Sequence, residues 1–202
     1  MKITIISGSH RRQAQSLKVA EFIRGQLVEK GVEAEVLSLS GNPLPLWDEA
    51  VWEDDPAWRQ RLAPWRERLT ASDALVVISP EWHGQAPAGL KNFFLLFGKD
   101  ELGHKPALIV AVSSGDGGAY PVAELRMSSY KNNRLCYIPE QVIVRHVEQV
   151  LNPAAEDNDE RSDAFYRARI GWALDILRQY AVALKGVRES GVTESDRFRN
   201  GM

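Results

Sequence analysis

Within the stretch Ser7-Gly8-Ser9-His10-Arg11-Arg12-Gln13-Ala14-Gln15-Ser16 the chain gathers hydroxyls (Ser9, Ser16), an amide (Gln15) and guanidiniums (Arg11, Arg12). That set of donors suits a phosphate monoester better than a carboxylate. Ahead of it, Ile3-Thr4-Ile5-Ile6 is a short, β-branched apolar run, the pattern of a strand buried on both faces. Behind it, Leu17, Ala20, Ile23 and Leu27 recur at helical spacing. Strand, polar turn and helix in that order set free backbone N–H groups and the positive end of a helix dipole beside the strand's carboxyl end, which makes an anion pocket. A dinucleotide turn needs G-x-G-x-x-G, and only Gly8 is present. A Walker loop needs a Gly-Lys pair that this stretch lacks. A phosphatase loop needs a thiolate, and the sole cysteine is Cys136. Taken alone, the stretch also reads as an ordinary βα turn with exposed polar residues.

The elements that must position this turn follow from the rest of the chain. Its 202 residues suffice for one well-buried domain, expected over 1–185, with a polar tail over 186–202. A net charge of −2 with interspersed signs argues against a nucleic-acid surface. No apolar run approaches the about 20 residues of a membrane span, and the start shows no signal-peptide pattern. A lone cysteine fits a reducing compartment, so a cytoplasmic setting is expected. His10, His83, His104 and His146 lack ligand spacing, so no metal site is expected.

Val32 to Leu39 alternates like a strand near an edge, and Gly41-Asn42-Pro43 stops it. Leu44 to Ala57 reads as irregular; Trp58, Leu62, Trp65 and Leu69 then mark a helix face despite Pro64. The tryptophans from Trp47 to Trp65 read as packing residues of the core or of a subunit contact. Asp73 to Ser79 is a buried strand ended by Pro80, and Glu81-Trp82-His83-Gly84-Gln85-Ala86-Pro87 has turn chemistry. Pro87 suits the first turn of a helix running through Leu90, Phe93 and Phe97. Ala107 to Val112 is a further strand, ending in the glycine-rich loop Ser113-Ser114-Gly115-Asp116-Gly117-Gly118. A helix from about Tyr120 to Arg134, a short strand from Gln141 to Val144 and a helix through Ile170, Leu177 and Leu184 complete the chain, with a linker-like stretch at Asn152 to Asp163.

Strands alternating with helices call for an α/β, doubly wound parallel sheet, and five strands fit the order 2-1-3-4-5. The unusual loops follow strands 1, 3 and 4 and would line one crevice. A response regulator of this topology would need carboxylates at these strand ends, where Ser7 and Ser79 stand instead.

Three stretches resemble the NADPH-dependent FMN reductases, a flavodoxin-like family with azo-, quinone- and chromate-reducing members. Gly8-Ser9-His10-Arg11 with Ser16 and Lys18 is similar to the family's phosphate loop. Leu44-Pro45-Leu46-Trp47-Asp48 is similar to its L-P-L-Y-[DN] segment. Pro80-Glu81-Trp82-His83-Gly84, running on to Pro87, Leu90, Lys91 and Asn92, is similar to P-E-Y-N-G-x-x-P-x-x-L-K-N, the flavin-ring loop. The likeness covers residues 1 to about 118. Ala14 stands where many members carry a phosphate-binding Ser, Trp82 replaces Tyr, and His83 replaces Asn.

The resemblance implies tightly bound FMN, with Ser9, Arg11, Gln15 and Ser16 on the phosphate. It further implies Pro80, Glu81, Trp82, His83 and Gly84 along the ring, with Ser113, Gly115, Asp116 and Gly117 closing over it. NAD(P)H would be the co-substrate and a small molecule the electron acceptor, in a ping-pong exchange that asks no catalytic side chain of the protein. A homodimer or tetramer is implied as well. The rival readings are a flavodoxin-type electron carrier, disfavoured by the near-neutral charge, and a flavin-free partner-binding relic of the fold.

Overall fold

The computed structural model describes residues 1–198 and 200. Strands β1 (Lys2–Ser7), β2 (Glu33–Ser38), β3 (Ala74–Pro80), β4 (Pro106–Val112) and β5 (Cys136–Val144) form a sheet in the order β2-β1-β3-β4-β5. Every adjacent pair is parallel. The helices are α1 (Gln15–Glu29), α2 (Pro56–Thr70), α3 (Ala88–Leu96), α4 (Lys99–Leu102), α5 (Ala119–Ser128) and α6 (Glu160–Glu189). This is the doubly wound architecture expected from the sequence.

Side-chain parity along the strands builds both cores. Ile3, Ile5, Val76, Ile78, Leu108 and Val110 pack with Ile23 and Leu27 of α1 and Leu174 and Leu177 of α6. Their neighbours Ile6, Leu75, Val77 and Ile109 face Leu62 and Leu69 of α2, Phe93 of α3 and Leu125 of α5. Because β1, β3 and β4 are covered on both sides, they show continuous apolar runs rather than alternation. Trp58 and Trp65 lie half-buried against the second core, whereas Trp52 is 79% exposed.

Several boundaries differ from the sequence reading. α5 stops at Ser128, well short of Arg134. The Ser128 and Ser129 hydroxyls donate back to the carbonyls of Glu124 and Leu125, Asn133 bonds Ser129, and Arg134 turns to φ 56°. β5 starts at Cys136 rather than Gln141, with a register shift opposite Ala107 and Ile109. Pro139, which lacks an N–H, sits in that interruption and hides the strand from a pattern search. Pro87 is the N-cap of α3, one residue ahead of its first turn.

The stretch from Asn152 to Asp163 is no free linker. Asn152 and Asn158 exchange backbone and side-chain hydrogen bonds, and Asp159 caps α6 through Ser162 N–H. α6 continues to Glu189, past the expected boundary at 185. Arg134 then donates to the carbonyls of Thr193 and Phe198, fastening the segment beyond the helix; residues 199, 201 and 202 of the polar tail lie outside the described residues.

Candidate functional site

The β1–α1 turn folds into a cradle of hydroxyls over the start of α1. Ser7, Ser9 and Ser16 are all buried. Ser7 Oγ lies 3.5 Å from Ser16 Oγ, and the Arg11 N–H donates to Ser9 Oγ at 3.3 Å. Ala14, the N-cap of α1, has no side-chain acceptor, and the first turn carries no acid. Among the described residues no acceptor takes the N–H groups of Gln15 and Ser16, so the helix offers bare donors to an anion. Gln15 Oε1 is buried with no partner, and a half-turn of that amide would present its NH2 instead. Arg11 is exposed at the rim.

Gly8 lets this turn sit tight on the sheet. Its N–H donates to Ile78 O at 2.9 Å, and a Cβ there would stand 2.5 Å from that oxygen and 2.9 Å from Leu90 Cδ2.

After β3, Trp82 and Gln85 exchange both backbone hydrogen bonds, at 3.1 and 3.0 Å, around His83 at φ 50° and Gly84 at φ 72°. Two central residues with positive φ make a type I′ turn, which favours Asn-Gly. His83 occupies the Asn position of that pattern. The bonds narrow the expected ring contacts. The N–H groups of Glu81 and Trp82 are taken by Val112 O and Gln85 O, leaving those of His83 and Gly84 without a protein acceptor among the described residues. The Glu81 carboxylate accepts Gly118 N–H at 2.6 Å, so this side chain ties the second loop to the third.

That third loop, 113–118, is fastened to the residues following β5. Ser113 O accepts Val147 N–H, Ser113 Oγ accepts Gly115 N–H, Gly117 O accepts Arg145 Nε, and Asp116 Oδ1 lies 2.9 Å from His146 Nε2. Ser114 Oγ donates to Glu148 Oε1 at 2.6 Å. This bond holds the Glu148 carboxyl below the usual range against the cost of burial, with help from Lys18 and Arg11. The Asp116 side chain is thus already engaged, whereas a Cβ on Gly115 would meet nothing within 4 Å.

Between the first two loops lies an open cavity of about 560 Å³ lined by His10, Arg11, Glu81, Trp82 and His83. Its size is that of an ordinary small-molecule site. A larger cleft of about 1470 Å³, bordered by Trp52, Phe94, Lys99, Lys131 and Glu194, is lined by no residue of the β1–α1 turn, whereas His10 and Arg11 of that turn line the smaller one. Chemistry therefore favours the smaller space. The crevice between β1 and β3, where the strand order reverses, is also where doubly wound sheets bind ligands.

Sequence reasoning missed two features. His10 lines the cavity, its ring perpendicular to Trp82 with centroids 4.6 Å apart; its place between Ser9 and Arg11 was the available signal. Lys18 turns away from the cradle to the carbonyls of Val147 and Val150 and to Asn152 Oδ1, at 2.6–2.8 Å. Burial lowers its pKa.

Supporting residues join the motifs to one another. Asn92 on α3 bonds the backbone of Pro45 and Trp47, and Lys91 meets Glu124 Oε1 at 2.5 Å while Ala86 N–H donates to Glu124 Oε2 at 2.7 Å. Burial disfavours the charged Glu124, but these two bonds outweigh it and hold its carboxyl below the ordinary value.

The buried hydroxyls, the orphaned Gln15 oxygen, the bare helix start and the neighbouring cavity beside Trp82 fit a phosphate-bearing aromatic group such as FMN. Comparison with known proteins agrees. The family model for NADPH-dependent FMN reductase matches residues 1–149. An NADPH azoreductase from Bacillus sp. (strain OY1-2) is 27% identical over 144 residues, covering 71% of this chain and 76% of that protein. A quinone reductase from Pseudomonas putida is 27% identical over 124 residues, 58% of this chain and 63% of that protein. The solved structure of the flavoenzyme NAD(P)H:(acceptor) oxidoreductase FerB from Paracoccus denitrificans superposes with a TM-score of 0.68 at 22% identity, over 89% of this chain and 98% of that one, and shows the same fold. With its matched residues reaching from the first strand through the loop after β5, the chain belongs to the NADPH-dependent FMN reductase family, an oxidoreductase family.

Proposed function

We propose that the chain is an FMN-dependent NAD(P)H oxidoreductase that reduces a small acceptor (a quinone, free flavin, azo compound or metal oxyanion) by ping-pong exchange. The observation that carries this reading is that the β1–α1 turn, whose Ser9 and bare helix start make the anion cradle, also places His10 and Arg11 in the cavity beside Trp82. Ser9, Ser16, Gln15 and Arg11 would hold the phosphate through charge-assisted bonds and the helix dipole. The turn Pro80 to Gly84 would carry the ring, with the His83 and Gly84 N–H groups toward its polar edge and Ser113, Gly115, Asp116 and Gly117 above it. Once bound there, FMN would supply the hydride chemistry. The chain's own part is to orient the ring, keep one face open to two successive partners and neutralise the phosphate.

An absorbance spectrum of the purified protein followed by anaerobic titration with NADPH and with NADH tests the reading. A bound flavin bleached by a nicotinamide, then reoxidised by a quinone with parallel double-reciprocal plots, is the expected result. A flavin that no nicotinamide reduces makes the protein an electron carrier. A colourless protein that takes up no added FMN removes the reading altogether.

The same reading includes a homo-oligomer, supported by the exposed Trp52 and Leu95 (79% and 62%) on the rim of the larger cleft. It also includes a reducing, cytoplasmic setting, supported by the single, unpaired Cys136. Among the described residues no helix is long and apolar enough to cross a membrane. Light scattering at micromolar concentration that returns a strict monomer would remove the oligomer from the reading.

A further inference from the structure

His10 lines the 560 Å³ cavity, and among the described residues its side chain makes no hydrogen bond. Glu81 is committed to Gly118 N–H, Arg11 lies by the cradle and Glu148, and His83 sits exposed on its turn. The Nδ1 atom of His10 is buried with no hydrogen-bond partner, 3.2 Å from where a Cβ on Gly89 would stand. Gly89 lies in the first turn of α3, whose N-cap Pro87 offers no side-chain acceptor, and the N–H groups of Ala88 and Gly89 have no acceptor among the described residues. Positive partial charge at that helix start favours a lone pair facing it, which sets the ring proton on Nε2. Nε2 has no protein partner among the described residues and is not a buried atom, on a ring that lines the cavity. The perpendicular contact with Trp82 and the bond from Gly41 N–H to His10 O, 3.2 Å, hold the ring and its backbone in place.

We propose that His10 is a catalytic hydrogen-bond donor whose Nε2–H meets the oxygen on which negative charge gathers as a quinone-type acceptor is reduced. The proposal rests on the reductase reading and narrows its acceptor to carbonyl compounds that become oxyanions. A hydride originating on NAD(P)H forms an O–H bond at one quinone oxygen, and the ring becomes aromatic. The displaced electron pair appears on the opposite oxygen as a phenolate, NAD(P)H ends as NAD(P)+, and water supplies the proton that completes the hydroquinone. His10 keeps its own proton throughout. A fixed donor aimed at developing charge lowers the barrier because it needs no reorganisation when the charge arrives.

The test compares the FMN-loaded parent with His10→Phe, which keeps a ring against Trp82 but has no donor, and His10→Gln, which restores an N–H. Turnover is measured with 1,4-benzoquinone and with ferricyanide, a one-electron acceptor that builds no oxyanion on carbon-bound oxygen. In His10→Phe, kcat for the quinone should fall roughly tenfold to a hundredfold more than kcat for ferricyanide, and His10→Gln should recover part of the difference. By titration calorimetry, His10→Phe should also bind pentafluorophenolate, a redox-inert ring bearing an oxyanion, about tenfold more weakly. Equal losses with both acceptors, no loss with either, or His10→Gln behaving like His10→Phe would overturn the proposal, as would either variant failing to retain FMN. A parent that binds FMN yet turns over neither acceptor sinks the reductase reading instead, and the pentafluorophenolate measurement then still decides whether His10 receives an oxyanion.

Discussion

The side-chain oxygen of Asn92 accepts the backbone N–H of Trp47 at 2.8 Å, while its NH2 group donates to Pro45 O, also at 2.8 Å. Asn92 is buried at 4% exposure, so a single amide on α3 satisfies both backbone groups of the segment after β2 away from water. Asn92→Ala leaves both groups unpaired. It should cost about 2–3 kcal/mol of stability, read as a lower midpoint in urea with an unchanged slope.

Arg11 stands at the rim of the cradle and Gln15 inside it. Arg11→Ala should weaken FMN binding by about 1–3 kcal/mol, the range for a lost charge-assisted bond. Riboflavin, which has the ring but no phosphate, should bind the variant and the parent alike. Equal weakening of both ligands, measured by flavin fluorescence, would take Arg11 off the phosphate.

His83 adopts φ 50° directly before Gly84 at φ 72°. A β-branched residue resists this conformation, so His83→Val should destabilise the protein by about 1–2 kcal/mol. His83→Asn, the residue that the type I′ turn favours, should leave stability equal or higher. Thermal unfolding of the FMN-free protein compares the two without interference from the ligand.

Burial, reinforced by Arg188, pushes the Lys105 ammonium down from 10.5 to about 8 while Nζ donates to the carbonyls of Leu69 and Thr70. Between those two values the unfolded chain still carries a proton that the folded chain has released. This group's contribution to stability therefore rises with pH across that window and is flat below it. A displacement of this size corresponds to about 3 kcal/mol. The stability of the parent relative to Lys105→Met should widen by that amount from pH 8 to 10.5 in denaturant titrations.

Strand order and both cores were legible because β1, β3 and β4 are unbroken apolar runs with helical spacing between them. The cradle was legible for a similar reason, since Ser9, Arg11, Gln15 and Ser16 crowd into one turn. What escaped depends on distant pairing. Nothing local in Glu81-Trp82 says that their N–H groups are spent on Val112 and Gln85. Lys18 sits among phosphate-loop residues in sequence, yet its partners lie near position 150. The overlong α5 was a failure of propensity, because Ser128 and Ser129 compete for the helix's own carbonyls.

Lys18 carries a consequence for anyone trimming the chain. The family match ends at residue 149, but two of the ammonium's three seats, Val150 O and Asn152 Oδ1, lie past that point, as does the α6 wall formed by Leu174 and Leu177. A fragment cut at the homology boundary would leave the Lys18 ammonium on α1 with one of its three acceptors and bare the apolar side of the helix whose first turn forms the anion cradle. The region with the least family likeness is thus a foundation for the part with the most.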